Sequence, residues 1–204
     1  MIRFLNMFMP GIFLLISGLP ASAQQVIGTA VINGKIVEIL DNQTWRYKSE
    51  QSMSLSGCDL LKHGLYFCNK NNWKATSATG DASHMYSIDD RTYVMFIIEN
   101  MGADDGVTKD FMAGVALNYA AEAANTTPDN ILQHFSRDKI VNGNEFLSIA
   151  YTASISNIKF TFINNICVQD TVTAQAAIFT LGSKVTESQI EHNNVLVENL
   201  FFTK

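Results

Sequence analysis

Three consecutive runs of strand-forming residues between residues 145 and 181 constrain the fold of this chain more than any other feature. The runs read EFLSIAYTASI, IKFTFINNICVQ and TVTAQAAIFTL, and the short turn signals SN and QD separate them. Connections this short join antiparallel strands, because parallel strands need a crossover of a dozen or more residues. The sequence therefore predicts an antiparallel sheet in this half of the chain.

Upstream of these runs, the sequence predicts a hairpin followed by a helix. MYSID and TYVMFIIEN flank the turn-prone DDR, and the second run is apolar enough for a buried strand. In TKDFMAGVALNYAAEAA, Thr108 is a suitable N-cap. Phe111, Val115 and Tyr119 recur at i, i+4 and i+8, which predicts that they form the core-facing side of an amphipathic helix.

Two further helix starts follow. TTPDNILQHF begins with a cap and a proline at Thr127 and Pro128, and predicts a short helix. Near the end, KVTESQIEHNNVLVENLFF has the capping-box spacing at Thr186 and Gln189 and predicts a terminal helix. The residues that help to mark its apolar face are Ile190, Val197 and Leu200.

The predicted order β-β-α-α-β-β-β-α indicates an α+β fold in which helices pack on an antiparallel sheet, over residues 84–204. YSIDDRTYVMFIIEN, the long helix, IVNGNEFLSIAYTASI, KFTFINNICV, AAIFTLGSKV and IEHNNVLVENLFF together resemble the PsbP-like α-β-α sandwich, over about residues 84–203. That family occurs among photosystem accessory proteins and small secreted bacterial proteins. The resemblance implies a binding or accessory role, and it transfers no metal ligands to positions of this sequence.

Residues 1–23 are typical of a secretory signal peptide. Arg3 is their only charge, residues 4–19 are almost wholly apolar, and ASA at 21–23 supplies the small residues of a signal-peptidase site. A membrane anchor is the alternative, but the apolar run is interrupted and shorter than the roughly 20 residues of a spanning helix. We therefore expect a periplasmic or secreted chain that begins near Gln24, with no membrane span after cleavage.

Residues 24–49 predict a small β-meander, because two β-rich runs surround the turn signals NGK and DNQ and a third follows them. Trp45, Arg46 and Tyr47 lie in the last run and form a candidate interaction face. The alternative is that the aromatic residues cover the core side of the small sheet.

Residues 50–83 are rich in Ser, Asn, Thr and Gly around CDLLKHGLYFC, and we interpret them as a connector with a cysteine loop. Cys58 and Cys68 are close enough in sequence to form a disulfide in an oxidising compartment. A zinc site that adds His63 and a reactive thiol are the alternatives. The C-x4-H-x4-C array lacks a fourth ligand and the usual zinc spacing, so we expect a disulfide and no metal.

Cys167 lies within the predicted strand KFTFINNICV, where a buried and unreactive thiol is expected. An intermolecular bridge and a nucleophile are the alternatives.

The charge of the chain argues against nucleic acid as a partner. Removal of Arg3 with the signal leaves 13 basic and 19 acidic side chains, and the basic residues are scattered rather than clustered. The same distribution makes anionic membrane surfaces poor partners. An unknown protein partner is expected instead.

The sequence contains none of the common catalytic or nucleotide-binding motifs, so no catalytic residue and no cofactor is predicted. ENMGADDG at residues 99–106 lacks the residue order of a Ca²⁺ loop and is interpreted as a solvated turn. Two function classes remain. The first is a non-enzymatic binding or accessory protein, for example one that acts as an inhibitor or immunity protein does. The second is a small secreted hydrolase with an unrecognised site, which would need a pocket that holds a histidine beside a nucleophile.

Overall fold

The computed structural model describes residues 25–32, 35–47, 57–68 and 73–203. The predicted signal segment lies outside the described residues. The chain divides into two compact units, residues 1–49 and residues 50–204, and each is described by itself.

The smaller unit contains the predicted β-meander. Strands β1 (Val26–Ile32), β2 (Lys35–Leu40) and β3 (Trp45–Tyr47) pair antiparallel in chain order. The turn between β2 and β3 is fixed by Asn42, whose Oδ1 accepts hydrogen bonds from the backbone N–H and the hydroxyl of Thr44. An asparagine that bonds to backbone two residues ahead favours such a turn over continued strand.

The larger unit is built on a seven-stranded antiparallel sheet with the order β6-β7-β8-β12-β11-β10-β9, and a second sheet has the order β13-β5-β4. In chain order its strands and α-helices are β4 (Asp59–Lys62), β5 (Leu65–Phe67), β6 (Lys74–Thr76), β7 (His84–Ser87), β8 (Thr92–Glu99), α1 (Lys109–Ala123), β9 (Leu132–Val141), β10 (Asn144–Ile155), β11 (Ile158–Val168), β12 (Thr173–Leu181), α2 (Glu187–Glu198) and β13 (Leu200–Phe202).

Tight turns join the long central strands. Asn142 and Gly143 connect β9 to β10, and Ser156 and Asn157 connect β10 to β11; all four have positive φ between 52° and 76°. Two consecutive left-handed residues are the signature of the hairpin turn whose twist matches that of the flanking strands. The predicted SN turn is therefore present, and the strands that it joins are antiparallel.

The two faces of the seven-stranded sheet carry separate hydrophobic clusters, because side chains alternate along each strand. Along β11, Ile163 and Cys167 belong to the cluster on the α2 side, whereas Phe162 and Ile166 belong to the cluster on the α1 side. The predicted α+β fold, with helices packed on an antiparallel sheet, is thus confirmed.

Two elements differ from the sequence prediction. Residues 126–135 do not form a helix, because only a 3-10 turn at Pro128–Asn130 precedes strand β9. This strand lies at the sheet edge with most of its residues exposed, so its sequence shows no apolar alternation that would have identified it. The predicted terminal helix ends at Glu198, and Leu200 is buried as part of β13.

Residues within the predicted connector, 50–83, contribute side chains to the core of the larger unit. Phe67 and Trp73 are buried in the α2-side cluster, and Phe67 lies 5.2 Å from the ring of Tyr86. The hydroxyl of Tyr86 donates a hydrogen bond to Asp59, and β6 pairs with β7 in the main sheet. The domain boundary predicted at residue 84 would divide this hydrophobic cluster. That boundary remains a prediction.

Candidate functional site

Helix α1 has the predicted N-cap, but the side of the helix that faces the core is not the predicted one. Thr108 Oγ1 accepts a hydrogen bond from the backbone N–H of Phe111, as expected for an N-cap. Phe111 and Tyr119 are 60% and 61% exposed, and Val115 between them is partly buried. Our prediction that these three residues face the core was wrong. We call Phe111, Val115 and Tyr119 the outer stripe of α1.

The buried side of α1 consists of small residues and one methionine. The prediction from spacing considered only the large apolar residues and did not identify this side. Met112, Ala116, Ala120 and Ala121 are the buried residues of the helix. They pack in the cluster that contains the stacked rings of Tyr151 and Phe162, and further stacked rings follow across the sheet. Because the sheet supplies the large side chains, the helix must supply small ones to pack closely.

An ion-pair cluster anchors the start of α1. Lys109 Nζ lies 2.9 Å from Asp138 on β9 and 3.2 Å from Glu145 on β10. The hydrogen bond to Asp138 is the main reason that the pKa of Lys109 is raised above its usual range. These contacts hold the first turn of α1 over the edge of the sheet. The outer stripe lies on a different side of the helix from these ion pairs.

Helix α2 buries two polar residues, Gln189 and Asn193, together with Leu196 and Val197. Thr186 caps the helix through the N–H of Gln189, but the Gln189 amide donates to the carbonyl oxygen of Thr161 and does not complete a capping box. Asn193 accepts a hydrogen bond of 2.6 Å from Asn165. Ser148 donates to the same Asn165 side chain at 2.7 Å, so a buried polar network lies beneath α2.

On the N-terminal meander, the predicted interaction face divides between two sides of the sheet. Trp45 lies opposite Ile39, and these side chains are 52% and 36% exposed. Arg46 lies opposite Glu38, and its Nε contacts the Glu38 carboxylate at 2.8 Å. The side chain of Tyr47 lies outside the described part of the structure. We call Ile39 and Trp45 the meander face; its role in binding stays a prediction.

Two surface pockets lie at the end of the main sheet where β10 and β12 finish. The larger, of about 330 Å³, lies beside the end of α1 and is lined partly by Thr152, Lys159 and Ser183. His134 Nε2 is 2.8 Å from the hydroxyl of Thr152. Small-molecule sites usually enclose about 300–1,000 Å³ and are mostly apolar, so this pocket is at the lower limit.

The second pocket, of about 240 Å³, contains the residue types that a hydrolase would need. Its lining includes Asp89 from the β7–β8 turn and Ser188 and His192 from α2. The Asp89 carboxylate accepts hydrogen bonds from the backbone N–H groups of Arg91 and Thr92, and the first of these is the main reason that its pKa is lowered. Asp89 therefore fixes the turn, and among the described contacts no hydrogen bond joins Ser188 to His192.

The cysteines are arranged as predicted. Cys58 and Cys68 form a disulfide, so both sulfurs are occupied and the zinc alternative does not apply. Cys167 is a buried free thiol, and burial raises its pKa to about 11. A thiol in this environment is protonated near neutral pH and is a poor nucleophile.

Potential metal ligands are dispersed in the described residues, where no group of three or more His, Cys, Asp or Glu side chains could hold an ion. Within ENMGADDG, Asp105 accepts a hydrogen bond from the N–H of Gly102 and stabilises a 3-10 turn. No helix in the described ranges is long and apolar enough to cross a membrane.

Comparison with known proteins supports the fold alone. No family model and no curated protein matches this chain. Its architecture is an α+β sandwich, and a solved PsbP structure has a similar fold. Cyanobacterial PsbP (CyanoP) from Synechocystis sp. PCC 6803 is 9% identical with a TM-score of 0.54, and the match covers 74% of this chain and 96% of CyanoP.

Two further structures show weaker likeness. A protein of Bacteroides thetaiotaomicron is 8% identical with a TM-score of 0.46, over 72% of this chain and 49% of that one. LpqN of Mycobacterium tuberculosis, a protein involved in cell envelope biogenesis, is 11% identical with a TM-score of 0.44, over 69% of this chain and 83% of LpqN.

Proposed function

We propose that this protein is exported to the periplasm or secreted, and that it binds a protein partner there without catalysing a reaction. The predicted signal peptide and the Cys58–Cys68 disulfide support export, because disulfides persist in oxidising compartments. The PsbP-like fold is compatible with an accessory role, but a fold by itself does not define a function. An inhibitor- or immunity-like activity is one form that such binding could take.

The observation that carries this proposal is the exposure of Trp45. A tryptophan that is 52% exposed beside the exposed Ile39 is a typical anchor for a protein interface, since tryptophan is enriched among the residues that dominate binding energy. The surface pockets, in contrast, are small and partly polar. We therefore assign partner binding to the meander face.

Capture of partners from an extract of the source cells tests the proposal. Immobilised wild-type protein should retain a specific partner, and Trp45→Ala should weaken its affinity at least about tenfold. Ile27→Ala is the matched control, because Ile27 is 64% exposed on the same meander. Equal retention by all three proteins would contradict the role of Trp45. N-terminal sequencing of the exported chain should begin at Gln24.

A hydrolase is the second candidate, supported by Ser188 and His192 in one pocket. Activity of the purified protein on a panel of small esters and peptides, abolished by both Ser188→Ala and His192→Ala, would favour it over binding. We expect no turnover, since Asp89 is already engaged by the turn that contains it.

A further inference from the structure

The pocket of about 240 Å³ beside the first turns of α2 includes a buried side chain with an unpaired polar atom. Gln189 is 1% exposed and lines this pocket, which we call the α2 pocket. Its Nε2 donates a hydrogen bond to the carbonyl oxygen of Thr161, whereas its Oε1 has no partner in the described part of the chain. Buried polar atoms are nearly always paired, and an unpaired acceptor calls for a donor. The α2 pocket therefore suits a ligand that donates hydrogen bonds.

The carboxylate of Asp89 is a second acceptor in the lining of the α2 pocket. Its Oδ1 accepts the backbone N–H groups of Arg91 and Thr92, at 2.8 and 2.6 Å. Its Oδ2 accepts a long contact of 3.5 Å from the Thr92 hydroxyl. An ionised carboxylate has about four sites for hydrogen-bond donors. Oδ2 therefore keeps the capacity to bind a further donor, and a charged donor fits it best.

The donors of the α2 pocket suit a carboxylate. Arg91 and Ser188 both line the pocket and are exposed, and neither side chain has a hydrogen bond or ion pair among the described contacts. Ser188 lies in the first turn of α2, a helix of 12 residues, where the first backbone N–H groups have no partner inside the helix. The start of a helix favours a negative charge, and a guanidinium binds a carboxylate through paired hydrogen bonds.

We propose that the α2 pocket binds a small free α-amino acid. Its carboxylate is held by Arg91 and by Ser188 at the start of α2, and its ammonium group donates to Asp89 Oδ2 and Gln189 Oε1. An ammonium group has three donors, so it can serve both acceptors. A simple anion would offer no donor to Gln189, and a simple amine would leave Arg91 without a partner. The two opposite charges of the ligand thus match the two opposite charges of the pocket.

The size and lining of the α2 pocket limit the ligand to a small one. Its volume of about 240 Å³ corresponds to about eight water molecules and lies below the usual range for drug-sized ligands. Thr180 and Thr92 lie opposite each other on β12 and β8 and are both lining residues, so this part of the lining is polar. Leu181 adds one apolar contact. An amino acid with a short side chain, such as alanine, fits this combination.

Titrations followed by two-dimensional NMR of the purified wild-type protein test the proposal with three probes. L-Alanine should bind with a dissociation constant on the order of 0.1 mM, which is within the affinity limit for a ligand of about six heavy atoms. Propionate lacks the ammonium group and ethylamine lacks the carboxylate. Each should bind at least about tenfold more weakly, because one set of charged hydrogen bonds is lost. The signals that shift should belong to residues 89–92 and 186–192.

Two variants separate the two halves of the site. Asp89→Asn keeps the Oδ1 acceptor that fixes the turn and removes the charge, so it should weaken alanine at least about tenfold and leave propionate unaffected. Arg91→Gln should weaken alanine and propionate and spare ethylamine. Arg137→Gln is the matched control, because Arg137 is an exposed arginine on β9 outside the pocket lining. Circular dichroism checks that every variant is folded.

Four outcomes would overturn the proposal. The first is the absence of saturable shifts with alanine up to about 10 mM, which is far weaker than expected for the site. The others are propionate or ethylamine that binds as tightly as alanine, shifts confined to residues outside the α2 pocket, and unchanged alanine affinity in both Asp89→Asn and Arg91→Gln. Partner capture through Trp45 and ester hydrolysis are measured separately, so this proposal can fail while the proposed function holds.

Discussion

The two helices cover opposite faces of the same sheet, but their buried sides differ in polarity. Helix α1 buries a methionine and alanines and exposes Phe111 and Tyr119, whereas α2 buries the polar Gln189 and Asn193 beside Leu196 and Val197. The difference follows from what each sheet face offers. The α1 side presents stacked aromatic rings to its helix, whereas the α2 side presents Asn165, which needs hydrogen-bond partners, beside its own ring cluster around Phe67. The side of a helix that faces the core is therefore chosen by its neighbour as well as by its own spacing.

The largest effect is expected on the α2 side, where strands from outside residues 84–204 complete the core. Phe67→Ala should reduce the free energy of unfolding by about 4 kcal/mol, because a fully buried phenylalanine is removed from the cluster. Urea denaturation measures this change. A chain that begins at residue 57 should fold, and one that begins at residue 84 should lose much of its stability. A stable fragment 84–204 would instead support the boundary predicted from sequence.

The buried polar network beneath α2 should be the next most sensitive feature. Asn165→Leu leaves the Ser148 hydroxyl and the Asn193 amide without the partner they share and removes a hydrogen bond to the Ala176 carbonyl oxygen, so we expect a loss of about 3 kcal/mol. The double variant Asn165→Leu/Asn193→Leu should be more stable than the sum of the single changes, since it removes two of the unpaired groups together. Strictly additive losses would show that Asn165 and Asn193 are not coupled.

A smaller effect is expected from Lys139, which lies on β9 opposite Phe146 on the α2 side. Burial lowers the pKa of Lys139 from 10.5 to about 8, so the folded state disfavours the charged amine. The resulting penalty is complete below pH 8 and disappears as pH rises towards 10.5. Lys139→Gln should therefore melt at a higher temperature than wild type at pH 7, and the difference should shrink by pH 10. A constant difference across this range would contradict the lowered pKa.

The smallest effect on stability is expected on the outer side of α1. Phe111→Ser and Tyr119→Ser should each change the unfolding free energy of the monomer by less than about 0.5 kcal/mol, because both side chains are mostly exposed. Met112→Ser is the matched control on the buried side and should cost about 3 kcal/mol. If Phe111→Ser lowered the free energy of unfolding as much as Met112→Ser does, Phe111 would have to lie on the buried side of α1.

The sequence predicted those elements whose signal is local. The caps Thr108 and Thr186 start their helices as expected, and the short turn at Ser156 joins antiparallel strands. The edge strand β9 was missed, since an edge strand with mostly exposed residues needs no apolar alternation. The pairing of β5 with β13 also left no local signal, because it depends on contacts between distant parts of the chain.

The candidate surfaces were predictable only in part. Trp45 was identified as a possible contact, but the pairing of Arg46 with Glu38 could not be read from either residue. The outer stripe of α1 was recognised as an apolar pattern and assigned to the wrong side. Three apolar residues at helical spacing show that a helix has an apolar side, and only the partner surface decides whether that side is buried.

The pairing of β5 with β13 has a consequence for the order in which the protein can fold during synthesis. Thr203 donates a hydrogen bond to the Gly64 carbonyl oxygen across 139 positions of sequence. Strand β5 therefore lacks its partner β13 until nearly all of the described chain has been synthesised, although its other partner β4 is present early. Contacts this distant form slowly, since the long loop between them must close first. The β13-β5-β4 sheet is therefore completed last, and the α2-side cluster, to which it contributes Leu65, Phe67 and Leu200, closes late in folding.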